Sequence, residues 1–309
     1  AYQVESDKRT ITFIDTPGHE AFIKMRSRGA TVCDIALLVV AADDSVKPQT
    51  KESIEQIKKA GVSMIVVVNK IDLPTANLDC VKQDLAKAGV QVEGFGGDVP
   101  IVPVSAKAGT GLDDLLDFII LVAQMKELKS EPTAPFEGVV IETRLDKGKG
   151  MVASIIVKKG TLRSGQTLYE GAKGIARVRA MFDEFGKSVK EAGPSKPVEV
   201  LGFTTLPGVG SVILDVPISV ASELSKPIVS KLYSQQELPD WLKPVQDQQK
   251  EKLNIILKGD TAGTLEAIVA SLGDRVRVIA SGVGDIGEAD VLAVRRAHLG
   301  ARPRERGRD

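Results

Sequence analysis

Three short runs in this chain hold side chains suited to work on phosphates and bases. The first is Asp15-Thr16-Pro17-Gly18-His19, directly after the apolar run Ile11 to Ile14. A carboxylate at a strand end can hold Mg²⁺, often through water. A glycine beside it lets a backbone N–H approach a terminal phosphate. His19 then stands where an imidazole would orient an attacking water. The same residues also fit a plain strand-to-helix turn, with Asp15 as a cap and His19 solvated. The second run is Asn69-Lys70-Ile71-Asp72, again after an apolar stretch. Guanine presents two adjacent donors, N1–H and the N2 amino group, which one carboxylate can accept together; adenine lacks that pair. Asp72 is the candidate reader, the stem of Lys70 a cover for the base, and Asn69 a brace. The alternative is an ordinary polar turn ending in Leu73-Pro74. The third run is Ser105-Ala106-Lys107. Small residues there let backbone N–H groups reach guanine O6, and Lys107 can cover the other face of the base. By itself the tripeptide is unspecific. Its weight lies in order: three loops, each closing a strand, succeed one another as a guanine-nucleotide pocket requires.

The elements that must position these loops are strands alternating with helices. Ile35 to Ala41 is a continuous apolar run, as expected of a strand buried on both faces. Met64 to Val68 repeats the pattern, and with Ile11 to Ile14 and Ile101 to Val104 the expected strands number four. Pro48 suits the first turn of a helix whose Ile54 and Ile57 share one face. Leu112, Leu115, Leu116, Ile119 and Ile120 form an apolar stripe at helical spacing. This alternation predicts a mostly parallel sheet covered on both faces, with its chemistry at the carboxyl ends of the strands.

Near Glu131 to Pro135 two prolines and the loss of apolar periodicity predict a linker. From Phe136 the runs become short and β-rich: Val139 to Ile141, Met151 to Val157, Thr167 to Tyr169, Ala176 to Phe182 and Val198 to Phe203, separated by glycine turns. Such spacing predicts a small antiparallel barrel. Pro217 to Lys252 reads as a polar linker with partial helix. A strand–helix–strand pattern returns at Leu253 to Leu257, Leu265 to Leu272 and Val276 to Ala280, with a further helix expected over Gly287 to Arg296. The arginine-rich stretch Ala301 to Asp309 reads as a solvated tail. The expected domains are therefore 1–130, a barrel over 131–216, a linker over 217–252 and a partial α/β domain over 253–309.

Composition narrows the field. Lys+Arg and Asp+Glu balance at 41 each in 309 residues, so no global charge announces a nucleic-acid partner. Two histidines, His19 and His298, leave a zinc site short of ligands. Cys33 and Cys80 lie outside any Cys-x-x-Cys pattern and read as thiols in a reducing cytoplasm. Aromatics at 4% argue against a base-stacking platform. No apolar run has the length of a membrane span. The chain opens on Ala1 at the approach to a strand, which suggests a start inside a longer protein.

The run Ile14 to Phe22, continued by Met25-Arg26-Ser27-Arg28-Gly29-Ala30, resembles the switch II segment of bacterial translation initiation factor 2, one of the translational GTPases. Phe182 to Gly186, Val189 to Ser195 and Val198 to Gly202 resemble that family's barrel domain. Leu253 to Asp260, Gly263 to Ala267 and Ser281 to Ile286 resemble the start of its third domain. The resemblance implies GTP or GDP with Mg²⁺ as ligands, and a truncated P-loop-type GTPase domain of α/β class, followed by an antiparallel β-barrel and a partial α/β domain. It implies that Asp15 holds Mg²⁺ through water, Gly18 senses the γ-phosphate and His19 is the catalytic residue, with Thr16 and Pro17 in the same GTP-binding loop. It makes Asn69, Lys70 and Asp72 readers of guanine, helped by Ser105, Ala106 and Lys107. It also implies a cytoplasmic monomer that works on both ribosomal subunits. Initiator formylmethionyl-tRNA would bind through a domain beyond this stretch. Three departures accompany the likeness. No Gly-x-x-x-x-Gly-Lys-Ser/Thr run occurs, so the phosphate cradle is missing. The switch I threonine is expected before Ala1, and the tRNA-binding domain is absent. The arginine-rich end does not resemble the family's continuation, and a misread or frameshifted end is one explanation. The chain alone is accordingly expected to bind GTP poorly and not to hydrolyse it. An elongation-type GTPase and a non-catalytic ribosome-binding fragment are the alternative readings.

Overall fold

The computed structural model describes residues 1–6, 9–18, 22–217, 253–272 and 276–293, and of residues 23 and 24 the backbone only. The described residues fall into two compact units. One is Ala1–Thr133 with Pro194–Pro197; the other is Ala134–Gly193 with the described residues from Val198 onward.

In the first unit, strands β1 (Tyr2–Ser6) and β2 (Arg9–Phe13) form an antiparallel hairpin, with Tyr2 opposite Phe13. Helix α1 (Ile23–Val32) follows. Then β3 (Ile35–Ala41), helix α2 (Pro48–Ala60), β4 (Ser63–Asn69), helix α3 (Leu78–Lys87), β5 (Ile101–Pro103) and helix α4 (Leu112–Met125) alternate along the chain. The three strands pair parallel in the order β3-β4-β5. The central β4 is apolar without interruption because both its faces are covered: Ile65, Val66, Val67 and Val68 are all buried. One face packs Val66 and Val68 on Ile54 and Ile57 of α2 and Val81 and Leu85 of α3. The other packs Ile65 and Val67 on Ile119 of α4, with Ile11 and Phe13 against the same cluster. Helices therefore cover both faces, as the alternation predicts. Pro48 sits at the start of α2, where a missing N–H costs nothing. Helix α3 begins at Asn77, whose side chain accepts the Cys80 N–H at 3.0 Å.

Two expectations need correction. Ile11 to Ile14 does not join the parallel sheet; it pairs with β1 instead and reaches the core only through side chains. The Ile35 to Ala41 run is not buried on both faces either, since Val39 is 60% exposed. The reason is common to both. Strand β3 is an edge, with no hydrogen-bonded neighbour on its outer side among the described residues.

The second unit contains a closed antiparallel barrel. The long hairpin β6 (Glu137–Asp146) and β7 (Gly150–Lys159) starts it, with Asp146 opposite Gly150. Two short strands accompany the ring, β8 (Leu162–Arg163) and, later, its partner β12 (Glu191–Ala192). The ring continues through β9 (Thr167–Glu170), β10 (Lys173–Phe182), β13 (Pro197–Phe203) and β14 (Val212–Leu214), while β11 (Ser188–Val189) extends β10. The order β10-β13-β7-β6-β14-β9 is closed by β9 pairing with β10. Register shifts in β6 let the hairpin bend around a core of Phe136, Val140, Ile155, Leu162, Leu168, Ile175 and Met181. The same unit holds β15 (Leu253–Gly259), helix α5 (Ala262–Ser271) and β16 (Val276–Val283), the two strands pairing parallel. Residues 288–293 are helical; the remainder of the helix expected to Arg296, the 218–252 stretch of the expected linker and the tail lie outside the described residues.

Candidate functional site

Strands β4 and β5 end side by side, and their following loops are locked together. The Asn69 side-chain oxygen accepts the N–H of Lys70 at 2.7 Å and, across the loops, that of Ala106 at 3.0 Å. The Ile71 N–H donates to the Val104 carbonyl at 3.3 Å. Ser105 is 1% exposed, and its hydroxyl donates to Asp72 Oδ1 at 2.6 Å while accepting the Ala108 N–H at 3.1 Å. Its own N–H donates to the Thr110 carbonyl, which closes the loop before α4. Gly111 then caps α4 in the left-handed region, φ 75°, against the Pro103 carbonyl.

These contacts set the charge of Asp72. The Ser105 hydroxyl, aided by Asp72's own N–H and the positive Lys107, holds the Asp72 carboxyl below its ordinary value, against the opposing effect of desolvation. Asp72 is thus an ionised, solvent-facing acceptor at neutral pH. Lys70 adopts φ 66°, a left-handed conformation that non-glycine residues rarely take. Its ammonium lies 3.3 Å from Asp43, at the end of β3. Sequence reasoning missed Asp43, although its place after an apolar strand was a usable signal. The arrangement offers a planar ligand a paired acceptor at Asp72 and two lysine stems, while the Ala106 N–H is engaged by Asn69.

The Asp15 to Gly18 loop is built separately. The Pro17 carbonyl accepts from Arg26 Nη1 of α1 at 2.9 Å, and Arg26 Nη2 meets Glu52 Oε2 of α2 at 3.0 Å. Gly29 lies beneath Thr16, where a Cβ would come within 3.1 Å of the Thr16 methyl. Gly18 lies beside Gln49, at the opening of α2. His19 lies outside the described residues. The structure therefore brings Asn69, Lys70, Asp72, Ser105, Ala106 and Lys107 together. It keeps Asp15 to Gly18 in a loop of their own, with no hydrogen bond to the first group among the described residues. The donor set fits a guanine base well. For Mg²⁺ it offers Asp15 alone, since no cluster of three His, Cys, Asp or Glu groups occurs among the described residues. Phosphate oxygens and water would have to complete any coordination shell.

A parallel sheet bearing these loops, followed in sequence by a closed antiparallel barrel, is the architecture of the translational GTPase class. Comparison bears out that class. Residues 1–125 match the elongation factor Tu GTP binding domain, 135–216 match elongation factor G domain 2, and 230–299 match translation-initiation factor 2. The translation initiation factor IF-2 of Pelotomaculum thermopropionicum is 48% identical over 94% of this chain. The chain belongs to the translation initiation factor 2 family. It spans 31% of the length of that curated relative. Among solved structures, GDP-bound aIF5B from Aeropyrum pernix is 26% identical, with a TM-score of 0.58, over 96% of this chain and 57% of that one. The bacterial selenocysteine-specific elongation factor EF-Sec is 25% identical, with a TM-score of 0.55, over 69% of this chain and 37% of its own.

Proposed function

We propose that this sequence is the guanine-reading and switch portion of a translation initiation factor that hydrolyses GTP on the ribosome. The observation that carries the reading is the brace of Asn69, Asp72, Ser105 and Ala106 at the tips of β4 and β5. Asp72 accepts guanine N1–H and the N2 amino group, the Ala106 N–H turns from Asn69 Oδ1 to O6 as the base binds, and the stems of Lys70 and Lys107 sandwich the base. Asp15 would hold Mg²⁺, which would supply positive charge at the phosphates; Thr16 and Pro17 shape the loop, and the Gly18 N–H donates to the terminal phosphate. His19 orients the water whose oxygen attacks the γ-phosphorus as the bond to the β,γ-bridging oxygen breaks, leaving GDP and phosphate. The domain division 1–130, 131–216, 217–252 and 253–309 belongs to the same proposal. So do the cytoplasmic location, the monomeric state, action on both ribosomal subunits, and delivery of initiator formylmethionyl-tRNA followed by subunit joining. No helix among the described residues is long and apolar enough to cross a membrane.

The test uses the full-length gene product. With ribosomes it should release phosphate from GTP and bind formylmethionyl-tRNA in preference to elongator tRNA. Guanine nucleotides should compete for its site and adenine nucleotides should not. Equal competition by ATP would end the assignment of the pocket. Loss of the tRNA preference alone would move the protein to an elongation-type factor.

A further inference from the structure

The Met-Arg-x-Arg stretch of α1 supports the family likeness, yet the roles above leave it unused. Arg26 is 7% exposed and bridges two elements with its two terminal nitrogens, the Pro17 carbonyl on one side and the Glu52 carboxylate on the other. Only Arg26 of this pair is buried and Glu52 is 24% exposed, and an ion pair with one desolvated charge is a modest source of stability, because desolvation offsets much of the attraction. Here the pair is also incompletely used: Glu52 Oε1 is buried with no hydrogen-bond partner among the described residues. A position, rather than net stability, is the better explanation for keeping two charges there.

What the pair positions follows from peptide geometry. The Pro17 carbonyl and the Gly18 N–H belong to one planar peptide unit, and no cis peptide bond occurs among the described residues. In a trans unit the C=O and N–H point in opposite directions. Gripping the carbonyl from α1 therefore aims the Gly18 N–H away from α1, and Gly18 has no Cβ to resist either orientation. Glu52 holds the guanidinium from α2, whose first turn also lies beside Gly18. We infer that Arg26 and Glu52 are positioning residues that fix the Pro17–Gly18 peptide, and so set how strongly the protein prefers GTP over GDP. This rests on the reading of Gly18 as the donor to the terminal phosphate.

The experiment measures GTP and GDP affinities of the full-length gene product, with Mg²⁺, for the wild type, Arg26→Lys and Glu52→Gln. A lysine keeps the charge but lacks the rigid fork whose two nitrogens reach the Pro17 carbonyl and Glu52 separately. Arg26→Lys should weaken GTP about tenfold relative to GDP, the worth of one hydrogen bond to a charged group. GDP affinity should stay within about twofold, because the base-side loops make no use of Arg26. Glu52→Gln should move the ratio in the same direction by less, and it keeps the test open if Arg26→Lys does not fold. An unchanged ratio in folded variants overturns the inference, as does an equal loss of GTP and GDP, which a mere packing role would give. Failure of the wild type to bind either nucleotide instead sinks the proposed function.

Discussion

Two glycines in one loop separate backbone strain from steric overlap. Gly109 and Gly111 both lie in the loop that carries Ser105, and both are left-handed, with φ of 74° and 75°. A Cβ on Gly109 would meet nothing within 4 Å, whereas one on Gly111 would lie 2.4 Å from the Pro103 carbonyl oxygen. Gly109→Ala therefore costs only the left-handed penalty, about 1–2 kcal/mol, less a small gain from a stiffer unfolded chain. Gly111→Ala adds an overlap one ångström inside ordinary contact, which begins at 3.4 Å. The oxygen belongs to β5, which is paired to β4 through Val68, so relief must strain that pairing. Overpacking of this kind adds about 1–3 kcal/mol. In urea, Gly111→Ala should unfold at a midpoint about 1 M below Gly109→Ala, for slopes of 1–3 kcal/mol/M. Far-UV circular dichroism follows the transition, since most helices among the described residues belong to the first unit. In the full-length gene product, Gly111→Ala should also weaken GDP binding, because Pro103 leads directly into Ser105, while Gly109→Ala should not. Equal midpoints for the two variants would refute the reasoning, as would a larger loss at Gly109.

Asp72→Asn in the full-length gene product should shift preference from guanine to xanthine nucleotides; survival of guanine preference in competition binding would contradict the role of Asp72. The Asp72 carboxyl lies below its ordinary 3.8, so its contribution to stability is complete at neutral pH and disappears only as pH falls through that lowered value. In Ser105→Ala the loss should move to higher pH, read as a raised midpoint for the Asp72 carboxyl carbon by NMR; an unchanged midpoint would acquit the hydroxyl. The 309-residue polypeptide, which contains no phosphate-loop run, should show no sub-micromolar dissociation constant for GDP by calorimetry. Phe136→Ala, at a position 1% exposed in the barrel core, should destabilise the second unit by about 3–5 kcal/mol. Urea unfolding followed there should show that loss, and a change under 1 kcal/mol, well below that range, would mean the ring is not a core residue.

Local pattern carried the reading wherever burial is periodic. Met64 to Val68 announced a central strand because a strand covered on both faces has no polar position to spare. Ile54 and Ile57 marked the buried side of α2, and glycine turns at regular intervals marked the barrel. Helix α3 went unread: its buried Val81 and Leu85 are too few, between Asp79, Lys82 and Asp84, to stand out as a stripe. Partners distant in sequence were also illegible. Nothing in Ile11 to Phe13 distinguishes a hairpin from membership in the sheet, since an apolar strand serves either. The site divided the same way. Asp72 and Ser105 could be named from their motifs, but the hydroxyl–carboxylate bond joining them spans 33 residues. The burial of Arg26 was hidden because an arginine in an amphipathic helix normally points to water.

The outer side of β3 has a consequence for handling the polypeptide. Among the described residues no strand pairs with its outer side, and only its end is closed, by the Asp44 and Ser45 N–H groups on the Ala41 carbonyl; an apolar strand so placed, with a bare valine at its middle, is a template for another extended chain. Nothing charged in Ile35 to Ala41 guards it, and a seven-residue stretch of high β-propensity without proline is the composition that stacks into fibrils. Crowded preparations would add strands there from neighbouring molecules, whereas the closed ring of the barrel has no such side to offer.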